Sequence, residues 1–304
     1  MLGKILHPII LKAIRNYNLR DVYEIRIRRN CPVVISLKGV NRVLTTSGGL
    51  DGEKIYANTQ IIEYILKSAT ENSIYAYNNQ IKQGFITAIG GIRIGVAGES
   101  VNSDNFMPTT LKNINSLNIR IPHEVKNCSS VVFKFIYTAC GEIKNTLIIS
   151  PPGAGKTTML RDLARNFSCT DKIFNVMIVD ERFELASVVN GEVMLDVGIY
   201  SDVVSGASKN FAFENAIRSL RPDIIITDEL IGEDDFIACR KAMNAGVKII
   251  ASVHADDCVS LRSKPEYKEI IKGGGFERYI VLSNRYGVGS IEGVYDKDFK
   301  CIYF

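Results

Sequence analysis

The segment Ser150-Pro-Pro-Gly-Ala-Gly-Lys-Thr157 constrains this chain more than any other. An apolar run, Thr146-Leu-Ile-Ile149, leads into it, and Met159, Leu160, Leu163, Ala164 and Phe167 follow at helical spacing. Strand, glycine loop and helix therefore occur in the order that a phosphate-binding loop requires. Gly153 and Gly155 can take backbone angles closed to other residues, so that main-chain N–H groups can approach phosphates seated on the positive end of the helix. The candidate nucleotide-binding residues are Ser150, Pro151, Pro152, Gly153, Ala154, Gly155, Lys156, Thr157 and Thr158. Lys156 would neutralise the β and γ oxygens of ATP, and Thr157 would offer its hydroxyl to Mg²⁺, a hard cation that keeps several waters and needs few protein oxygens. The usual pattern opens on glycine, whereas Ser150 stands there. The bland alternative is a glycine-rich turn whose lysine is merely solvated.

Downstream, apolar runs at Phe174 to Val179, Asp223 to Ile226 and Lys248 to Val253 alternate with helix-length stretches. Runs that are apolar throughout suit strands buried on both faces, and the alternation predicts a mostly parallel α/β sheet. The run at 223 ends in Asp228-Glu229. Two adjacent acids at the end of a buried strand repel each other unless something positive sits there, and Mg·ATP is such a partner. The pair reads as a Walker B element in which Asp228 holds the hydrated metal and Glu229 orients or deprotonates the attacking water. Read alone, Asp-Glu after a strand is as compatible with a helix N-cap. The cluster Asp180-Glu-Arg-Phe-Glu184 opens on the same edge and can bring Glu181 to the metal or water; otherwise it is a charged loop that pairs Arg182 with a neighbour. His254 ends its strand on that edge too, as a γ-phosphate sensor, a bridge to a neighbouring subunit or an inert strand end.

The first half has another texture. Leu2, Ile5, Leu6, Ile9, Ile10, Ala13, Ile14 and Tyr17 fall at helical spacing and predict one amphipathic helix, laid on its own domain or else docked on a partner or membrane surface. Short β-rich runs follow at Tyr23 to Arg28 and Cys31 to Ser36. A helix is expected at Thr59 to Ser68, glycine-punctuated strands at Gly84 to Val101, a turn-rich loop at Val101 to Pro108 and a strand at Ser116 to Pro122. The chain has 304 residues, and at about 150 residues per domain it suits two. We expect an N-terminal α+β domain over 1–126 and an α/β domain over 127–304, with the joint near Pro122 to Asn127. No apolar stretch approaches the roughly 18 to 20 residues of a membrane span, and Lys4, Lys12 and Arg15 break any secretory h-region, so a cytoplasmic location is expected. Seven cysteines at wide spacing read as free thiols. A net charge of +4 is too mild to imply a polyanion, and no basic groove with stacking aromatics can be located, so nucleic acid is not expected as a partner.

These motifs together resemble the secretion ATPase superfamily of RecA-like type II and type IV machines, and most closely its stage III sporulation protein AA family. The resemblance runs over nearly the whole chain. It is carried by Glu24-Ile-Arg-Ile-Arg28, Gly90-Gly-Ile-Arg-Ile-Gly95, Ser116-Leu-Asn-Ile-Arg-Ile121, Val179-Asp-Glu-Arg182, Asp196-Val-Gly198, Arg218 to Glu229, Phe276 to Leu282 and the loop itself, whose Ser-Pro-Pro opening is typical of that family. It implies a RecA-like P-loop NTPase core and a Mg²⁺-dependent ATPase, assembled as a hexamer. It also implies membrane-embedded sporulation channel proteins as partners at the cytoplasmic face of the mother cell. By the same match Glu181, Glu184 and His254 would line the nucleotide site. Arg93 and Arg120 would reach the phosphates within or across subunits, unless they pair with surface acids. The segments Ser205 to Phe213 and Ala251 to Asp257 depart from the usual pattern, which leaves room for weakened turnover. Two other readings share this sheet: a nucleic-acid-stimulated RecA-like ATPase, and a nucleotide-gated scaffold with little turnover.

Overall fold

Proline decides the start of the chain. The computed structural model describes residues 2–48, 52–102, 108–265, 267, 271, 273 and 275–304. In it the single helix expected over Leu2 to Tyr17 is two short ones, α1 (Leu2–Ile5) and α2 (Pro8–Ile14). Pro8 lacks an N–H and drives the preceding residue out of the helical region; His7 sits at ψ 140 and caps α2 instead. Ile5, Leu6, Ile10, Ala13 and Ile14 are buried in the core of their own unit, while Ile9 faces outward.

That unit, Met1–His123, is built on a six-stranded sheet. Its strands are β1 (Val22–Arg28), β2 (Val34–Leu37), β3 (Val40–Val43), β4 (Phe85–Ala88), β5 (Ile92–Asn102) and β6 (Pro108–Arg120), in the order β3-β2-β1-β6-β5-β4. Every pairing is antiparallel. Residues 103–107, the middle of the expected turn-rich loop, lie outside the described residues; β6 begins at Pro108, well before the strand expected from Ser116. Alternation assigns the faces. Ile25, Ile27, Ile94, Leu117 and Ile119 join one core with Ile61, Ile62 and Ile65 of α3 (Thr59–Ala69), whose N-cap Asn58 accepts from Ile61 N at 2.9 Å. A short α4 (Asn78–Lys82) follows α3. Glu24, Arg120 and Arg93 stand in register across β1, β6 and β5 on the other face.

The second unit, Glu124–Phe304, holds an eight-stranded sheet. Its strands are β7 (Thr146–Ser150), β8 (Val176–Asp180), a two-stranded ribbon of β9 (Val188–Val189) and β10 (Glu192–Val193), then β11 (Ser201–Ser205), β12 (Ile224–Thr227), β13 (Lys248–His254), β14 (Arg278–Ser283), β15 (Ser290–Asp296) and β16 (Cys301–Tyr303). The main sheet runs β11-β8-β12-β13-β7-β14-β15-β16; it is parallel through β14, and β15 and β16 add antiparallel strands at one edge. Helices α5 (Ser130–Ile136), α6 (Lys156–Phe167), α7 (Lys209–Asn215), α8 (Gly232–Asn244) and α9 (Cys258–Ser263) connect and cover it. Strands β7, β8 and β12 are buried along their whole length, as their unbroken apolar runs require, with one core on each face of the sheet. All seven cysteines are free. Among the described residues no helix is long and apolar enough to cross a membrane.

Candidate nucleotide site

Parallel strands that share a direction deliver their carboxyl ends to one edge, and the order β8-β12-β13-β7 brings Asp180, Asp228, His254 and Ser150 to it together. The loop from Ser150 leaves β7 and turns into α6 through Gly153 (φ +75) and Gly155 (φ +88), the N-cap of α6. Both angles are left-handed, the conformation for which the sequence calls on glycine. Ala154 is fully buried under the turn, and Ser150 Oγ donates to the Pro151 carbonyl at 2.9 Å.

Lys156 is 6% exposed. Its Nζ lies 3.0 Å from His254 Nδ1, 3.3 Å from both Ser150 Oγ and the Pro151 carbonyl, and 3.4 Å from the Ser150 carbonyl. Burial lowers its pKa, against the pull of the Asp228 and Glu229 carboxylates. The ammonium is thus buried among polar atoms in a low-dielectric pocket, where an anion gains most from meeting it.

The two carboxylates that would repel one another are separated by different partners. Asp228 accepts from Thr157 Oγ1 on one oxygen and from Ser252 Oγ on the other. Glu229 takes a left-handed backbone (φ 48), with its N–H donating to Ser252 Oγ at 3.0 Å, which turns its carboxylate away from Asp228. That carboxylate pairs with Arg182 and lies 3.2 Å from His254 Nε2. Lys156, His254, Glu229 and Arg182 therefore form one continuous polar chain across the edge. Thr157 and Asp228 present hard oxygen donors side by side at the mouth of the loop. Among the described residues no group of three or more His, Cys, Asp or Glu could hold a metal by itself. That donor set fits a Mg²⁺ that draws its other ligands from phosphate and water, and Thr157 and Asp228 are the residues that would hold it.

The acidic cluster after β8 divides its labour. Asp180, 2% exposed, accepts from the backbone N–H groups of Glu184, Leu185, Ala186 and Ser187 at 2.7 to 3.0 Å and so shapes the loop. Glu181 borders a small cleft with Arg182, Asp228 and Glu229, but its carboxylate is bonded to the buried Lys209 at 2.6 Å, and Lys209 also lies 3.4 Å from Asp235. Glu184 lines the same cleft and lends its carbonyl to Arg161 at 2.6 Å. In the other unit Arg93 stacks 4.0 Å from the centroid of the Phe85 ring, and Arg120 lies 3.8 Å from Glu24. Thr158 makes no side-chain hydrogen bond among the described residues.

Sequence reasoning passed over Ser252 and Lys209. A lone hydroxyl within the buried run of β13 was the available signal for Ser252. Nothing in the spacing marks Lys209. A larger cavity of 480 Å³ sits at the amino ends of β8, β12 and β13, lined by Lys172, Arg221, Asp223 and Lys248 among others. It lies on the edge where parallel sheets do not carry their ligands, and two of its cations have partners of their own: Lys248 lies 3.7 Å from Glu277, and Lys172 stands 4.9 Å from the centroid of the Phe174 ring.

A family model described as sporulation stage III, protein AA, matches residues 2–302. Stage III sporulation protein AA of Bacillus subtilis (strain 168) is 33% identical over 283 residues, which is 91% of this chain and 88% of that protein. Among solved structures, the pilus retraction motor PilT with bound ADP is similar at a TM-score of 0.58, with 13% identity over 90% of this chain and 78% of that one. The Legionella pneumophila ATPase DotB is similar at 0.55, also with 13% identity, over 90% of this chain and 74% of that one. At such identities the likeness speaks to the fold, which is the RecA-like secretion ATPase fold with its α/β core and N-terminal antiparallel sheet. Matched by that model along almost its full length, and by the Bacillus subtilis protein at one residue in three, the chain belongs to the sporulation stage III protein AA family.

Proposed function

We propose that this protein is a Mg²⁺-dependent ATPase that works as a ring, a hexamer by its resemblance to secretion ATPases, and energises the channel between mother cell and forespore. One observation carries the reading: Lys156 and Thr157, at the start of α6, face Asp228 and Glu229 at the end of β12. The likeness to a pilus retraction motor solved with ADP supports it.

The triphosphate is the substrate. Backbone N–H groups of the loop and the ammonium of Lys156 bind its β and γ oxygens, and burial strengthens that attraction. Mg²⁺ held by Thr157 and Asp228 would supply charge neutralisation to the phosphates. Glu229 accepts a proton from the attacking water at its carboxylate, and His254, 3.2 Å away, keeps that carboxylate aimed. Arg182 holds the same carboxylate from the other side. Arg93 and Arg120 are the arginines proposed to be lent between protomers.

Titration calorimetry and phosphate release test this reading. Lys156→Ala should abolish Mg·ATP binding. Glu229→Gln should bind ATP and lose turnover by about 10² to 10⁴, the range for a general base. Normal turnover in the glutamine variant would remove Glu229 from its role, and absence of nucleotide binding by the wild type would end the proposal. Turnover per protomer should rise with protein concentration; turnover independent of it would exclude an arginine shared between protomers.

A further inference from the structure

The turn between β14 and β15 reaches the phosphate-binding loop. A methyl group placed on Gly155 would lie 3.2 Å from Val288 Cγ1 and 3.3 Å from the Cα and N of Gly289, so the turn packs on the glycine just before Lys156. The turn is stiffened from within. Tyr286 N donates to Ser290 Oγ at 3.2 Å, Ser290 Oγ donates to the Gly287 carbonyl at 2.7 Å, and Arg285 N donates to Ser283 Oγ at 3.0 Å. Its apolar side chains are nonetheless left in solvent: Tyr286 is 85% exposed and Val288 74%. The Arg285 guanidinium stands 5.8 Å from the Tyr286 ring centroid.

A glycine-lysine loop grips phosphates through its backbone and one ammonium, and neither reads the base. The base must be met by another element within a nucleotide's length of the loop. A turn braced from within, touching Gly155 and carrying a largely exposed aromatic ring, has the right position, and a purine has the flat face that such a ring accepts.

We propose that Tyr286, flanked by Val288, is the platform on which the purine of the bound nucleotide stacks. This rests on the nucleotide reading above and adds the part of the ligand that the loop cannot recognise. The test compares Mg·ATP with Mg·tripolyphosphate, which has the same anionic chain and no base, by calorimetry on the full-length protein. Tyr286→Ala should weaken ATP by about tenfold, the contribution of one base stacked on one aromatic, and leave tripolyphosphate unchanged; Tyr286→Phe should keep wild-type affinity for ATP. The chain contains no tryptophan, so Tyr286→Trp installs a single indole whose emission should be quenched by Mg·ATP and not by Mg·tripolyphosphate. Unchanged ATP affinity in Tyr286→Ala, an equal loss for both ligands, or an indole indifferent to bound ATP would overturn the platform and leave the phosphate loop standing. Wild-type protein that binds neither ligand would overturn both.

Discussion

Replacing Asp180 by asparagine should unfasten the loop after β8 while leaving the phosphate-binding loop untouched. The carboxylate is buried, and each oxygen accepts two backbone N–H groups: Glu184 and Leu185 on Oδ1, Ala186 and Ser187 on Oδ2. Asparagine keeps one such oxygen and turns an NH₂ group towards the other pair, so two charge-assisted bonds are lost and two buried donors face a donor. At about 1.5 to 3 kcal/mol for each bond to a charged group, the cost is about 3 to 6 kcal/mol. Arg161, which donates to the Leu185 and Glu184 carbonyls at 2.7 and 2.6 Å, cannot replace those acceptors. Amide hydrogen exchange reads the effect locally. Protection at Glu184 to Ser187 should fall by about two to four orders of magnitude, a factor of ten for each 1.4 kcal/mol. Turnover should fall too, because the loop carries the Arg182 that pairs with Glu229. Asp202→Asn, at the exposed position of β11, is the control and should change neither. Full protection at those four amides in Asp180→Asn would refute the reasoning.

Asp162, fully buried, accepts from Asn127 N, Ser129 N, Ser129 Oγ and Arg165. Burial pushes its pKa up, but Arg165 and Ser129 more than offset that and hold it below the ordinary 3.8. Its contribution to stability is therefore complete above that value and is lost as the pH falls through the lower folded value. Asp162→Asn should flatten the acid side of a plot of urea midpoint against pH, and an unchanged slope would contradict the assignment. Gly153→Ala and Gly155→Ala should each cost about 1 to 2 kcal/mol, because a Cβ disfavours the left-handed backbone. Gly155→Ala should cost more, since its methyl also presses on Val288 and Gly289 while the one at Gly153 meets nothing; equal thermal midpoints would show that the turn yields freely. Thr157→Val removes the hydroxyl beside Asp228 and should erase the preference for ATP with Mg²⁺ over ATP without it, measured by calorimetry in magnesium and in chelator.

Local chemistry made the loop at 150–157 legible from residue order, because left-handed turns demand glycine and a helix must follow to bind phosphate. Unbroken apolar runs disclosed β7, β8, β12 and β13 within a residue or two, and α3 emerged where its periodicity placed it. The opening helix failed for an equally local reason, since eight apolar residues at helical spacing outweighed a single Pro8 that breaks the backbone. What depends on neighbours across the sheet was not visible. Strand order β8-β12-β13-β7 is not chain order, so no spacing reveals that Ser252 would bond Asp228, that Arg182 would reach Glu229, or that Lys209 would take up Glu181. Asp180 looked like one acid in a cluster of three, and only the folded loop turns four N–H groups onto it. Sequence by itself determined the glycine loop and the helix that follows it, the strand ends beside them and the family, because these are properties of consecutive residues. Tertiary structure alone decided which charges are paired, which carboxylate is structural and which turn leans over Gly155, because those contacts join residues that the chain holds far apart.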